Sequence, residues 1–191
     1  MAQGRLRRRV LYWLTGQLKC QLIRVPREEG GPPEPYLERY RLLELPWGSK
    51  VYVHRFVDSD PERGYHNHPW DSLSFPLVGE YLEHVFHPAG ERVARYGVGG
   101  YNRILQEKFH RVELTSPDAW TLFYRRGTAN GWGFLFEDVA QGNTAWDNWI
   151  SKPDVAGSRW VFSQHLRQPH EESGWAGIPL GREVSREPLG I

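Results

Sequence analysis

Gly64-Tyr65-His66-Asn67-His68-Pro69-Trp70-Asp71-Ser72, running on to Gly79, is the stretch around which this chain is organised. His66 and His68 are separated by one residue. Side chains alternate faces along a strand, so positions i and i+2 point the same way. Two imidazoles would then project side by side, close enough to share one metal ion. A third candidate, His110, lies in Phe109-His110-Arg111-Val112-Glu113-Leu114. There His110, Val112 and Leu114 share an apolar face, while Arg111 and Glu113 share the other. An imidazole on an inward face needs a partner for its ring nitrogens, and a metal supplies one. The competing reading has the three histidines bonding one another and water.

The flanking sequence is written in strands. Val51–Val57 is rich in β-branched and aromatic residues and is closed by Asp58-Ser59-Asp60-Pro61. Leu73–Val78 and Tyr81–Phe86 are two short strands split at Gly79-Glu80, and Gly97-Val98-Gly99-Gly100 is a turn. Phe109–Leu114, Trp120–Tyr124 and Trp132–Phe136 follow, with a further short strand expected at Arg159–Phe162. Short strands at this spacing with no helices between them indicate an all-β sandwich or barrel.

Outside that region the pattern changes. Leu6, Val10, Leu14, Leu18 and Leu22 recur every four residues, which predicts an amphipathic helix over residues 5–23. Its basic residues suit either a membrane surface or, more simply, packing on the barrel or a second subunit. Pro26 to Pro35 holds four prolines and two glycines and reads as a loop without regular structure. The division expected is therefore helix and linker at 1–35, barrel at 36–140, and an irregular extension at 141–191 that wraps the barrel or another chain.

Composition limits the function classes. The chain has 191 residues, enough for one domain with extensions, and its formal charge of +1 offers no global field for nucleic acid. No window approaches a transmembrane span. Cys20 is the only cysteine, so no internal disulfide forms and a cytoplasmic location is expected.

On these residues the chain resembles the cupins, whose first motif is His-x-His, three or four residues, Glu, six residues, Gly. Here His66, His68 and Gly79 fall in register and Ser72 stands where the Glu would be. The second motif is matched in spacing by Gly99 and His110, whereas Leu105, Glu107 and Leu114 replace its Pro, Gly and Asn, and Asp60 replaces a Gly ahead of the first histidine. The His-Pro-Trp step and Gly131-Trp132-Gly133-Phe134-Leu135 are similar to an uncharacterised subgroup of small bacterial and phage cupins. The resemblance covers roughly residues 50–136. It implies a cupin-type double-stranded β-helix, a jelly-roll barrel, and a homodimer.

The same resemblance implies one divalent transition metal on His66, His68 and His110. With Ser72 in place of the carboxylate, the set is three imidazoles, which resembles the sites of thiol dioxygenases. Fe(II) is the expected ion, with Zn(II), Ni(II) and Cu(II) also suited to imidazole. Asp71 or Glu107 could still add a carboxylate, although Asp71 is out of register. The function expected is an Fe(II) dioxygenase or hydroxylase. The alternatives are a Zn- or Ni-dependent isomerase or hydrolase, and a non-catalytic cupin used for binding or assembly.

Substrate contacts are sought among guanidinium and aromatic groups. Arg126 is the arginine that alternation groups with Trp120, Leu122 and Tyr124, with Arg125 on the opposite face; Arg103 and Arg111 are further candidates. Tyr81 and Tyr124 could donate hydrogen bonds near the metal, Ser72 occupies the motif position, and Trp70 and Trp132 could roof the pocket. His54 is read as a non-ligand. His84 and His87 fall on opposite faces of one strand, and His165 and His170 as solvated.

Overall fold

A computed structural model describes residues 2–26, 32–60, 64–87, 89–126, 132–137, 149–152, 160–165 and 177–189. One helix, α1 (Ala2–Thr15), precedes the strands β1 (Cys20–Pro26), β2 (Pro33–Glu44), β3 (Lys50–Phe56), β4 (Tyr65–His66), β5 (Ser72–Val78), β6 (Glu80–Val85), β7 (Arg92–Gly97), β8 (Asn102–Ile104), β9 (His110–Leu114), β10 (Ala119–Arg125), β11 (Trp132–Glu137), β12 (Trp149–Lys152) and β13 (Trp160–His165). They form two sheets, ordered β1-β2-β3-β10-β5-β8 and β12-β13-β11-β4-β9-β6-β7. Every pairing is antiparallel, as in β10 against β3 and β5, and β6 against β7 and β9.

The expected strands are present, most with ends shifted by one residue and β13 ending three residues later than expected. The chief differences lie at the ends of the chain. The helix stops at Thr15 rather than running to residue 23. The Gly16 amide is shared between the carbonyls of Tyr12 and Trp13, each at 3.2 Å, a three-centre arrangement common at helix ends. Leu18 and Leu22 therefore continue the four-residue repeat by coincidence: Leu22 lies on β1. The span read as a loop is also partly regular, since β1 reaches Pro26 and β2 begins at Pro33, with Pro26 opposite Pro33. Proline is tolerated there because β1 is an edge strand and the pair sits at the mouth of a hairpin. Residues 27–31 lie outside the described set.

The central strands of the six-stranded sheet, β3 and β10, are covered on both faces. Cross-strand pairing puts Tyr40 beside Val53 and Trp120 beside Arg55 on its outer face. Tyr40, Val53, Trp120, Cys20 and Val78 form a core there, covered by Leu11 and Tyr12 of α1 and by Val184 and Leu189 near the C-terminus. Burying such a set is the main favourable contribution. Arg55, only 2% exposed, sits in the same layer and bonds Glu38, Asp118 and the Glu187 and Pro188 carbonyls. Arg8 reaches the other oxygen of Asp118 at 2.6 Å.

The buried side of α1 is thus Arg8, Leu11, Tyr12 and Thr15, not the leucine repeat. Leu6, Val10, Trp13 and Leu14 point away from the barrel and are exposed. The C-terminal segment expected to be irregular contains β12 and β13, and then a short 3-10 turn, Gly181–Glu183, seated on Leu18 through the Gly181 amide. No described helix is long and apolar enough to cross a membrane.

Candidate metal centre

The inner faces of the two sheets meet around the histidines. His66 on β4 pairs directly with His110 on β9, and His110 with Val85 on β6. His68 lies past the end of β4, which is only two residues long, so strand alternation alone does not place it. Asn67 does. Its backbone amide donates to Gly133, its Oδ1 accepts from the Gly133 amide at 2.8 Å, and its Nδ2 donates to Gln106 at 2.8 Å. This clamp turns the flanking histidines together.

The result is one cluster. A nitrogen from each of His66, His68 and His110 lies within 4.8 Å of the other two. Ring centroids are 4.8–5.1 Å apart, and the Nε2 atoms of His68 and His110 face each other at 2.9 Å. His110 is buried, His66 and His68 half-buried. His68 is held well below its ordinary value by burial and by the proximity of His110, His66, Arg39 and His54. It is neutral at physiological pH, the form that ligates a metal.

Sequence reading missed the group that orients this set. Glu83, fully buried on β6, accepts from His110 Nδ1 at 2.6 Å, from Asn102 Nδ2 at 2.9 Å and from Lys108 Nζ at 2.6 Å. Burial pushes its carboxyl up, but hydrogen bonds from His110, Asn102 and Lys108 outweigh that and bring it to about 2. An ionised Glu83 fixes the proton of His110 on Nδ1 and leaves Nε2 with its lone pair. That carboxylate–imidazole arrangement is the usual outer support of a metal-ligating histidine. A signal was available: Glu83 alternates with Tyr81 and Val85, which makes it the one charged residue on that face of β6.

The remaining candidates fall as follows. Ser72 and Tyr81 are buried on inner faces, and Tyr81 Oη is 3.5 Å from Ser74 Oγ. Trp70 is buried beneath Arg125, whose guanidinium carbon lies 4.0 Å from the ring centroid. Arg126 is exposed. In β10 the face shared by Trp120 and Leu122 is the one under α1, so the arginine that shares a face with Thr121 and Phe123 is Arg125. Tyr124 is likewise off the inner face, paired with Ser49 Oγ at 3.1 Å. Asp71 Oδ1 accepts from the Gln106 amide, and Glu107 is exposed, so neither joins the cluster. The side chain of Trp132, the Gly127–Gly131 turn and His170 lie outside the described residues.

His54 is on the inner face of β3, stacked on Phe123 with centroids 4.4 Å apart, and is not among the clustered ligands. Arg103 is exposed. Arg111 and His84 belong to a separate outer-face network in which His84 bridges Glu91 at 2.9 Å and Glu113 at 2.7 Å.

No protein-family model matches the chain, and no curated protein matches it. Solved structures do. An Fe(II) form of HppE with substrate aligns at 13% identity and a TM-score of 0.44, over 56% of each chain. An uncharacterised conserved protein with a double-stranded β-helix domain from Klebsiella pneumoniae aligns at 18% and 0.42, over 52% of this chain and 79% of that one. A recombinant oxalate oxidase in complex with glycolate aligns at 15% and 0.38, over 46% of each. The chain thus spans about half the length of the first and third. The structure itself gives two antiparallel sheets with a histidine cluster between them.

Proposed function

We propose that the chain is a mononuclear metalloprotein, with His66, His68 and His110 as the ligands, and that it works as a non-haem Fe(II) oxidoreductase of the dioxygenase or hydroxylase kind. The observation that carries this reading is the convergence of three ring nitrogens within 4.8 Å of one another, one of them backed by an ionised carboxylate. Imidazole suits Fe(II), Zn(II), Ni(II) and Cu(II) alike. Three protein ligands leave coordination positions for substrate and a co-substrate, and a bound Fe(II) would supply the oxygen chemistry itself. The chain's part is to hold His68 neutral, to orient His110 through Glu83, and to shield the centre between its sheets.

One observation favours a second reading. The cluster contains no carboxylate, and three neutral imidazoles are also a Zn(II) set, so a Lewis-acid isomerase or hydrolase fits the same geometry. Elemental analysis of the purified protein, followed by oxygen-electrode assays against a metabolite panel, separates the two. Bound iron with substrate-dependent oxygen uptake supports the first reading; bound zinc without uptake supports the second. A homodimer is part of this reading, and the exposed stripe of Leu6, Val10, Trp13 and Leu14 offers apolar surface for it. Sedimentation velocity tests that association.

A further inference from the structure

Arg39, His54 and Thr121 form a single cross-strand row. Arg39 on β2 is opposite His54 on β3, and His54 is opposite Thr121 on β10. This row lies on the inner face of its sheet, the face shared by Tyr52 and Phe123. The same face meets the histidine-bearing sheet where Phe56 packs on Tyr81, with ring centroids 6.2 Å apart.

Two of the three carry an unexplained polar atom. Thr121 is 0% exposed and His54 3% exposed, yet Thr121 Oγ1 and His54 Nε2 make no hydrogen bond among the described residues. Leaving such atoms bare is unfavourable, so their retention needs a reason. The next row on this face, Tyr52, Phe123 and Ser74, adds aromatic surface and a hydroxyl. Neither row contains Asp or Glu. Among the described residues these two rows thus present a guanidinium, hydroxyls and a neutral imidazole, and no carboxylate.

We infer that Arg39, His54 and Thr121 form the subsite that receives the anionic end, a carboxylate or phosphoryl group, of the small molecule presented to the metal centre. This rests on the reading of His66, His68 and His110 as ligands. Burial, with Arg39 nearby, keeps His54 neutral; a neutral imidazole carries one N–H and can donate it. Arg39 supplies the compensating charge and the planar fork that oxyanions favour. The aromatic rings of Tyr52 and Phe123 would line the path between this anchor and the metal.

The test uses full-length protein, metal-free and loaded with Zn(II), titrated by calorimetry with inorganic phosphate in one arm and acetate in the other. Wild type is expected to bind one of the two anions, which identifies the group recognised. Thr121→Val should weaken that binding about tenfold, the value of one hydrogen bond to a charged group, and Arg39→Met should abolish it. Thr121→Ser, which keeps the hydroxyl, should bind as wild type does.

A structural role is separated by the melting temperature. Because the Thr121 hydroxyl has no partner among the described residues, Thr121→Val should melt at the wild-type temperature or above while binding worsens. Metal content is measured on every sample. If wild type holds metal and neither anion binds, or if Thr121→Val and Arg39→Met bind within twofold of wild type, the subsite is wrong. If the anion binds with the expected variant pattern while wild type takes up no metal, the ligand assignment is wrong and the subsite stands.

Discussion

Glu83 Oε1 lies 2.6 Å from His110 Nδ1, and on the far side of the same ring His110 Nε2 lies 2.9 Å from His68 Nε2. One imidazole therefore has its proton held at the back and its lone pair presented at the front. Replacing Glu83 with Gln removes the charge and keeps the shape. Metal affinity should fall by about 10–100-fold. A competition titration with a chromophoric chelator measures it, and retained wild-type affinity would show that Glu83 does not orient the ligand.

Gly79 divides β5 from β6 with φ at +77°, and a Cβ there would meet the Asp118 carbonyl oxygen at 2.1 Å. Backbone cannot yield as a flexible side chain would. Gly79→Ala should cost at least about 2 kcal/mol, from the left-handed conformation plus the clash. Urea unfolding checks this, and a loss below about 0.5 kcal/mol would contradict it.

Beneath α1, Arg55 is the shared partner of two buried carboxylates, Glu38 and Asp118, each 2% exposed. Arg55→Met would leave both short of positive charge in a layer closed by Trp120 and Tyr12. A loss of about 3–5 kcal/mol is expected. Arg8→Met removes only one contact to Asp118 from a more exposed position, and its effect should be clearly smaller. Equal losses for the two variants would refute the ranking.

On the outer face, Glu91 accepts from Tyr65 at 2.5 Å and meets His84 at 2.9 Å. Partial burial raises its carboxyl, but these bonds and Arg111 outweigh that and lower it to about 2 from an ordinary 4.5. The stabilisation from a depressed carboxylate is complete above the unfolded value and is lost as pH falls through the folded one. Melting temperature should decline between about pH 4.5 and about pH 2, and Glu91→Gln should make that decline shallower. Parallel curves for the two proteins would remove Glu91 from the account.

The strands were legible because β-branched and aromatic residues cluster in them, and Gly79 and Gly97–Gly100 mark the turns. The cluster of His66, His68 and His110 was legible because spacing and the apolar face of Phe109–Leu114 both pointed inward. A four-residue leucine repeat resembles a buried stripe and so predicts a longer N-terminal helix than Ala2–Thr15. In the structure Leu6, Val10 and Leu14 face outward, whereas Leu18 and Leu22 lie beyond the helix and pack on the core. Alternation separates Arg125 from Arg126 without saying which faces the site, because β10 is buried on both faces. Pro26 and Pro33 read as breakers because edge position, which makes proline acceptable, is a property of the sheet. Asn67 acts through Gly133 and Gln106, contacts that exist only once β11 and the turn before β9 are brought together.

The most direct test is metal content by elemental analysis of wild type and of three single variants, His66→Ala, His68→Ala and His110→Ala, with His54→Ala as control. The account predicts one equivalent of a divalent transition metal in wild type and in His54→Ala, and little or none in the other three, with the folded state checked by circular dichroism. A folded His110→Ala protein that keeps a full equivalent would contradict it.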